Sequence, residues 1–363
     1  MSFSLPEYHA PDFAALGLLN APQAVTAPAP RDGVVPEGYH ATTIFPEYYH
    51  VGDRWVLAEE SRMDCVAVLT PEGRVAVREF RNIRAGDAVF LGRTEDGSEG
   101  IYVHPHGFDE GETGTQETFS FRSNRSRETA YSCDYDQLYE LLRHERDHGR
   151  IVWVLGPACS FDADARSAMV SLIERGFCHG LMAGNALATH DLEGALLRTA
   201  LGQDIYTQKA RPNGHYHHID IINRVRACGS IPAFLVQYDI HDGIMHACVE
   251  KNVPFVLAGS IRDDGPLPEV IGDVYRAQDA MRAQVRGATT VICLATQLHA
   301  IATGNMTPSF RVVDSVVRPV YLYCVDISEF VVGKLRDRGS LAVKSFVGNV
   351  QDFLVHVDRG TRG

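Results

Sequence analysis

The chain has 363 residues, 45% of them apolar and 22% charged, with a formal net charge of −12. That balance supplies a core for about two domains. It excludes a nucleic-acid binder and an anionic-membrane binder, because either needs a basic face. No secretory leader is expected, since the first residues lack a basic-then-apolar pattern, and no run reaches the ~18 apolar residues of a membrane span.

Residues 1–40 read as an N-terminal arm or linker, for the run Ala27-Pro28-Ala29-Pro30. Residues 41–120 are expected to form a small β-rich domain. Short apolar runs at 66–69, 75–77 and 88–91 alternate there with Gly and Asp turns. The Gly-rich acidic stretch 92–118 reads as exposed loop. Residues 121–363 are expected to form an α/β domain. Strands are predicted at 151–155, 180–183, 254–257, 290–294, 320–325 and 342–347. Helices are predicted at 134–146, 162–175, 184–199, 219–227, 243–251, 272–285 and 350–358, with 203–218 as loop. Such alternation predicts a parallel sheet with helices on both faces. The near-continuous apolar strands agree, because strands covered on both sides need no polar face. Eight cysteines, among them Cys293 inside an apolar run, form no C-x-x-C pair. They read as buried free thiols, which suits the reducing cytoplasm.

In an open parallel sheet, ligands bind beyond the carboxyl ends of the strands. The residues following the predicted strands are Gly156-Pro157-Ala158, Gly184-Asn185-Ala186, Gly259-Ser260, Ala295-Thr296, Asp326-Ile327-Ser328 and Gly348-Asn349-Val350. Small residues let a ligand approach the backbone, and the helix N-termini beyond them present free N–H groups to phosphate. One such turn is ordinary loop chemistry; six on one edge indicate a large polar ligand. Neither G-x-G-x-x-G nor G-x-x-x-x-G-K-[ST] is present, which excludes an ordinary dinucleotide fingerprint and a P-loop.

Three segments carry titratable groups. His190, in Thr189-His190-Asp191-Leu192-Glu193, is a candidate acid or base. Asp191 is either a ligand contact or a carboxylate complementing a helix dipole. In Arg262-Asp263-Asp264-Gly265, Asp264 is a candidate partner for a substrate amine. The run His215-Tyr216-His217-His218 suggests zinc or nickel, but no acidic or Cys partner stands at ligand spacing, so no metal is expected.

The sequence resembles the archaeal and cyanobacterial NAD-dependent ornithine cyclodeaminases, long described as the conserved region of a bifunctional lysine-oxoglutarate reductase and saccharopine dehydrogenase. The resemblance covers about residues 40–356. It rests on the runs 183–191, 255–268, 293–306, 325–330 and 349–353, such as Ala183-Gly184-Asn185-Ala186-Leu187-Ala188-Thr189-His190-Asp191. The α/β part is also distantly similar to deoxyhypusine synthase, which implies that nucleotide-binding fold.

The resemblance implies NAD as cofactor and a diamino acid as substrate. It also implies release of ammonia, a part in proline biosynthesis, and a homodimer or homotetramer. It implies His190, Asp264 and His299 as catalytic residues. The implied cofactor contacts are Pro157, Ala158, Gly184, Asn185, Ala186, Asp191, Gly259, Ser260, Thr296, Asp326, Ser328, Asn349 and Val350. Lys334 is a more distant candidate as an imine-forming amine. One departure is Cys159-Ser160-Phe161-Asp162, where the family has a His-Thr-Gly type turn; it puts a contact there, and ornithine itself as substrate, in doubt. An aminoalkyl transferase of the deoxyhypusine or homospermidine synthase type and a non-catalytic dinucleotide sensor are the alternatives.

Overall fold

The computed structural model of the chain describes residues 4–108, 132–263, 265–327 and 341–362. The N-terminal part holds two small antiparallel sheets. Their strands are β1 (Val25–Pro28), β2 (Glu47–Val51), β3 (Arg54–Leu57), β4 (Val66–Leu69), β5 (Val75–Arg78), β6 (Ala88–Leu91) and β7 (Ile101–Val103). One sheet has the order β1-β6-β4-β5 and the other β3-β2-β7. Period-2 alternation builds this unit: Val66 and Val68 face one small core, Ala67 the other. The Ala/Pro run read as an arm is extended, and it is also paired. Val25–Pro28 lines up antiparallel with β6, and Ala29 is buried behind it.

The α/β part begins with α1 (Ser132–His148), β8 (Ile151–Leu155), α2 (Ala163–Glu174), β9 (Gly180–Gly184) and α3 (Asn185–Leu197). A short hairpin, β10 (Thr199–Ala200) and β11 (Gln203–Asp204), leads to α4 (His217–Cys228), α5 (Ile231–Gln237) and α6 (Ile244–Glu250). Then come β12 (Phe255–Ala258), β13 (Val270–Ile271), α7 (Val274–Arg286), β14 (Thr290–Leu294) and α8 (Gln297–Met306). The described chain closes with β15 (Phe310–Val313), β16 (Val316–Pro319), β17 (Tyr321–Asp326), β18 (Ala342–Val347) and α9 (Val350–Gly360).

Seven of these strands form one parallel sheet in the order β13-β12-β9-β8-β14-β17-β18. Every residue of β8 and β14 is buried, as strands covered on both faces must be. Ile151, Trp153 and Leu155 pack with α1 to α6 and α9 in one core. Val152 and Val154 point the other way, toward α7 and α8. The expected parallel sheet with helices on both faces is therefore present. The N-terminal sheets dock on the α7 side. Arg81 grips Asp279 on α7 at 2.5 Å, Arg282 reaches Glu79 at 2.6 Å, and Ser309 donates its N–H to the Ser61 carbonyl at 2.9 Å.

The segment 203–218, expected as loop, holds β11, a 3-10 turn at Gly214–Tyr216 and the first residues of α4. Helices α5 and α8 and the β15–β16 hairpin were not expected from the sequence. Helix α5 is a short turn started by Ser230, whose Oγ accepts the Ala233 N–H at 3.1 Å. The hairpin turns on Asp314 and Ser315, both in the left-handed region at φ 49° and 67°. That conformation normally selects Gly or Asn, so the sequence carried no turn signal there.

Candidate functional site

The chain order of the sheet reverses between β8 and β14. Strands β9, β12 and β13 are added on one side, β14, β17 and β18 on the other. Such a switch point opens a crevice at the carboxyl edge. Two features mark it here. Gly156 donates its N–H to the Leu294 carbonyl at 2.7 Å, and a Cβ on Gly156 would lie 2.6 Å from the Ala295 carbonyl carbon. Only a glycine lets the two strands leave the sheet this close together. Ala295 itself has φ +50°, a strained conformation for a residue with a side chain.

The six polar turns do lie on this one edge. Pro157 and Ala158 form a half-buried 3-10 turn packed on α3. Gly184 caps α3 without a side chain, and the His299 ring lies on it; a Cβ there would meet His299 Cε1 at 3.0 Å. Asn185 is buried and its Oδ1 accepts the Leu267 N–H at 3.0 Å, which ties the start of α3 to the loop after β12. Ala186 follows it, half-buried. Gly259 donates to the Ile271 carbonyl at 2.9 Å, and exposed Ser260 closes a turn on Asp263 at 2.8 Å. Thr296 starts α8 with its side chain unused as a cap. Asp326 is buried at the end of β17. Asn349 caps α9 through the Gln351 N–H at 2.7 Å, and Gln351 Nε2 donates to the Ala158 carbonyl at 3.0 Å. Val350 sits in the core, leaving only its main chain for a ligand. Asn185 and Asp326 stand three strands apart, about 14 Å at the usual strand spacing. Asp264, Ser328 and Lys334 lie outside the described residues.

Asp191 is placed differently from the cofactor contact implied by resemblance. It is fully buried. Its Oδ1 accepts from Arg166 Nε at 2.7 Å and from the Ile244 N–H at 2.9 Å, and its Oδ2 from the Met245 N–H at 2.8 Å. The carboxylate is thus committed to Arg166 and to the first turn of α6.

A second group of titratable residues stands beside the Pro157 turn. His190 lies five residues along α3 from Asn185, about 140° around the helix, and faces Phe161, whose ring it meets edge-on at 5.3 Å. The altered Cys159-Ser160-Phe161 turn therefore supplies the wall of the His190 site. His190 Nδ1 bonds Glu193 Oε2 at 2.9 Å, and the His218 ring lies 4.9 Å from the His190 ring. Glu193 is fully buried and receives three further donors. These are Thr199 Oγ1 at 2.7 Å, the Gly202 N–H at 2.9 Å and the Leu201 N–H at 3.2 Å. Thr199 Oγ1 in turn bonds His217 Nδ1 at 2.7 Å.

Burial alone would raise the Glu193 carboxyl pKa, but the bonds from His190, Gly202 and Thr199 outweigh it and hold it below the usual value. Burial, with His190 nearby, lowers His218, against the pull of Glu193. Burial likewise lowers His299, opposed by Asp263. Because the folded-state pKa of Glu193 is depressed, its contribution to stability is present above the unfolded carboxyl pKa of about 4.3. It is lost as pH falls through the folded value. Acid unfolding followed by circular dichroism is expected to be shallower in Glu193→Gln than in the wild type across that window.

The His run of 215–218 finds in the fold the acidic partner that its sequence neighbourhood lacks. Ligand atoms of His190, Glu193 and His218 all lie within 4.8 Å of one another. The donor set nevertheless disfavours an ion, because a metal on Glu193 has to displace one of four hydrogen bonds already made. Glu193 is not among the candidate residues read from the sequence; the signal that marks it is the i, i+3 spacing after His190 on one helix.

Residues 137–357 match the family model described as arginine dihydrolase ArgZ-like, C-terminal, Rossmann fold, and residues 46–130 match its first region. The ornithine cyclodeaminase of Methanopyrus kandleri is 41% identical over 329 residues, covering 90% of this chain and 76% of the relative. The crystal structure of the LOR/SDH protein of Methanococcus maripaludis S2 superposes with a TM-score of 0.84 at 36% identity, over 94% of this chain and 98% of that one. The ternary complex of AgrE with ornithine and NAD+ superposes with a TM-score of 0.57 at 31% identity, over 94% of this chain and 46% of that one.

Proposed function

Because this chain belongs to the ArgZ-like family that contains the ornithine cyclodeaminases, we propose that it converts ornithine to proline and ammonia with bound NAD. The observation that carries this reading is the gathering of the family's turns along one carboxyl edge, with the His299 ring seated on Gly184. The edge fits a dinucleotide. The N-terminus of α3, which Gly184 starts with no side-chain cap, offers main-chain N–H groups to phosphate, and the roughly 14 Å between Asn185 and Asp326 suits an elongated ligand lying across several strands. We assign the cofactor contacts to Pro157, Ala158, Gly184, Asn185, Ala186, Gly259, Ser260, Thr296, Asp326, Ser328, Asn349 and the Val350 main chain.

Bound NAD supplies reversible hydride acceptance, so that an amine-bearing carbon is oxidised to an imine and a ring imine is later reduced in the same site. Between those events the second amine of the same molecule adds to the imine carbon and ammonia leaves. The protein's part is proton handling and exclusion of water. An attacking amine has to lose a proton, and a leaving amine has to gain one. A neutral imidazole takes the first proton and, as the imidazolium so formed, gives the second, and burial favours the neutral resting form at His299. His190 and His299 take these roles, and Asp264 pairs with the cationic nitrogen. Homo-oligomeric assembly and a cytoplasmic place in proline formation belong to the same reading. The cytoplasmic placement is supported by seven buried or half-buried free cysteines among the described residues.

The test is turnover of ornithine with a catalytic amount of NAD. Proline and ammonia are expected in equal amounts, with no net NADH. A requirement for a second amine as acceptor points to aminoalkyl transfer instead. Accumulation of NADH points to an ordinary dehydrogenase.

A further inference from the structure

The four donors on Glu193 have a common direction. Thr199 has one hydroxyl proton and gives it to Glu193 Oε1, so His217 must donate its Nδ1–H to Thr199 Oγ1. On the other oxygen, an anionic carboxylate only accepts, so His190 Nδ1 carries its proton toward Glu193. The Leu201 and Gly202 N–H groups complete the set. No Arg or Lys pairs with this buried carboxylate among the described residues; its titratable neighbours are the imidazoles of His190 and His217. A carboxylate held anionic behind one imidazole nitrogen leaves the other nitrogen as the ring's lone pair.

Resting on the reading of His190 as a proton-transfer group, we propose that Glu193 is a positioning residue that fixes His190 as the Nδ1–H tautomer. His190 Nε2 is thereby the lone pair that accepts a substrate proton. The β10–β11 hairpin and α4 act through Thr199 and His217 to keep the carboxylate in place. The groups facing His190 are Glu193 from its own helix, His218 from α4 and the uncharged Phe161 ring from the turn after β8. His218 Nδ1 is buried and meets no hydrogen-bond partner among the described residues, so it does not compete for Glu193.

Two measurements test this. Nitrogen NMR of 15N-histidine-labelled protein, with His190 identified by the signal lost in His190→Gln, is expected to show a protonated Nδ1 and an unprotonated Nε2. This needs no turnover. A wild type that makes no proline while showing that tautomer refutes the substrate reading and leaves the dyad standing. The opposite tautomer overturns the proposal. Glu193→Gln is expected to lower kcat about 100-fold with KM for ornithine nearly unchanged, as loss of an orienting carboxylate does. The acid limb of its kcat profile should move to lower pH, because the imidazolium loses its anion. A folded Glu193→Gln with kcat within about threefold of wild type and an unmoved profile overturns the proposal. Where that variant does not fold, Thr199→Val serves, since it leaves three donors on Glu193. A several-fold fall in kcat at constant KM is expected, and unchanged kcat overturns the proposal.

Discussion

Asp191→Ala is expected to destabilise the protein by about 3–5 kcal/mol, read as a fall in the denaturant midpoint at constant m-value. Two losses combine. Arg166 is buried, and removal of Asp191 takes away the buried one of its two carboxylate partners. Burial alone lowers the Arg166 pKa; the Asp191 and Asp242 carboxylates outweigh it and hold the guanidinium above its usual value. Asp242 still pairs with Arg166 from a mostly exposed position, so the charge is not wholly stranded. The first turn of α6 also loses the acceptor for the Ile244 and Met245 N–H groups. Arg166→Met in the same background therefore recovers only part of the loss, because no apolar pair can cap α6. Gly243 is bound into the same arrangement. It has φ +118°, and a Cβ there would lie 2.9 Å from Asp191 Oδ2 and on top of Arg166 Nη2.

Asp191 also shows where reading the sequence stops. The run from Gly184 to Asp191 reads as a ligand-bearing edge because Gly, Asn, His and Asp cluster after an apolar strand. The strand, the turn and Asn185 are where that reasoning places them. Helical rotation then divides the cluster: Asn185 turns to Leu267, His190 to Phe161 and Asp191 to α6. Which face each side chain takes depends on partners 29 to 82 residues away, and α3 is buried on every side, so its polar pattern carries no inside and outside. The sheet was legible because β8 and β14 are apolar throughout, the signature of strands covered on both faces. Helix α8 was not, because Thr303-Gly304-Asn305 is poor in helix formers and tertiary packing overrides that propensity. The His run at 215–218 was legible as unusual but not as a partner of Glu193, since the β10–β11 hairpin that joins them is only two residues per strand.

Gly156→Ala is expected to weaken NAD binding at least tenfold and to destabilise the protein by about 2–3 kcal/mol, an overpacking penalty at the upper end of its usual range. Calorimetric titration with NAD and denaturant unfolding measure the two effects separately. The added methyl meets carbonyl backbone, not the movable end of a side chain, so relief requires β8 and β14 to separate. Their separation breaks the Gly156 N–H bond to Leu294 and releases Ala295 from φ +50°, at the switch point of the sheet. The control is Gly272→Ala, where a Cβ meets nothing within 4 Å, and which should leave affinity unchanged. Gly156→Ala with normal NAD affinity would place the cofactor away from the β8–β14 crevice, and with it the assignment of Pro157, Ala158 and Thr296.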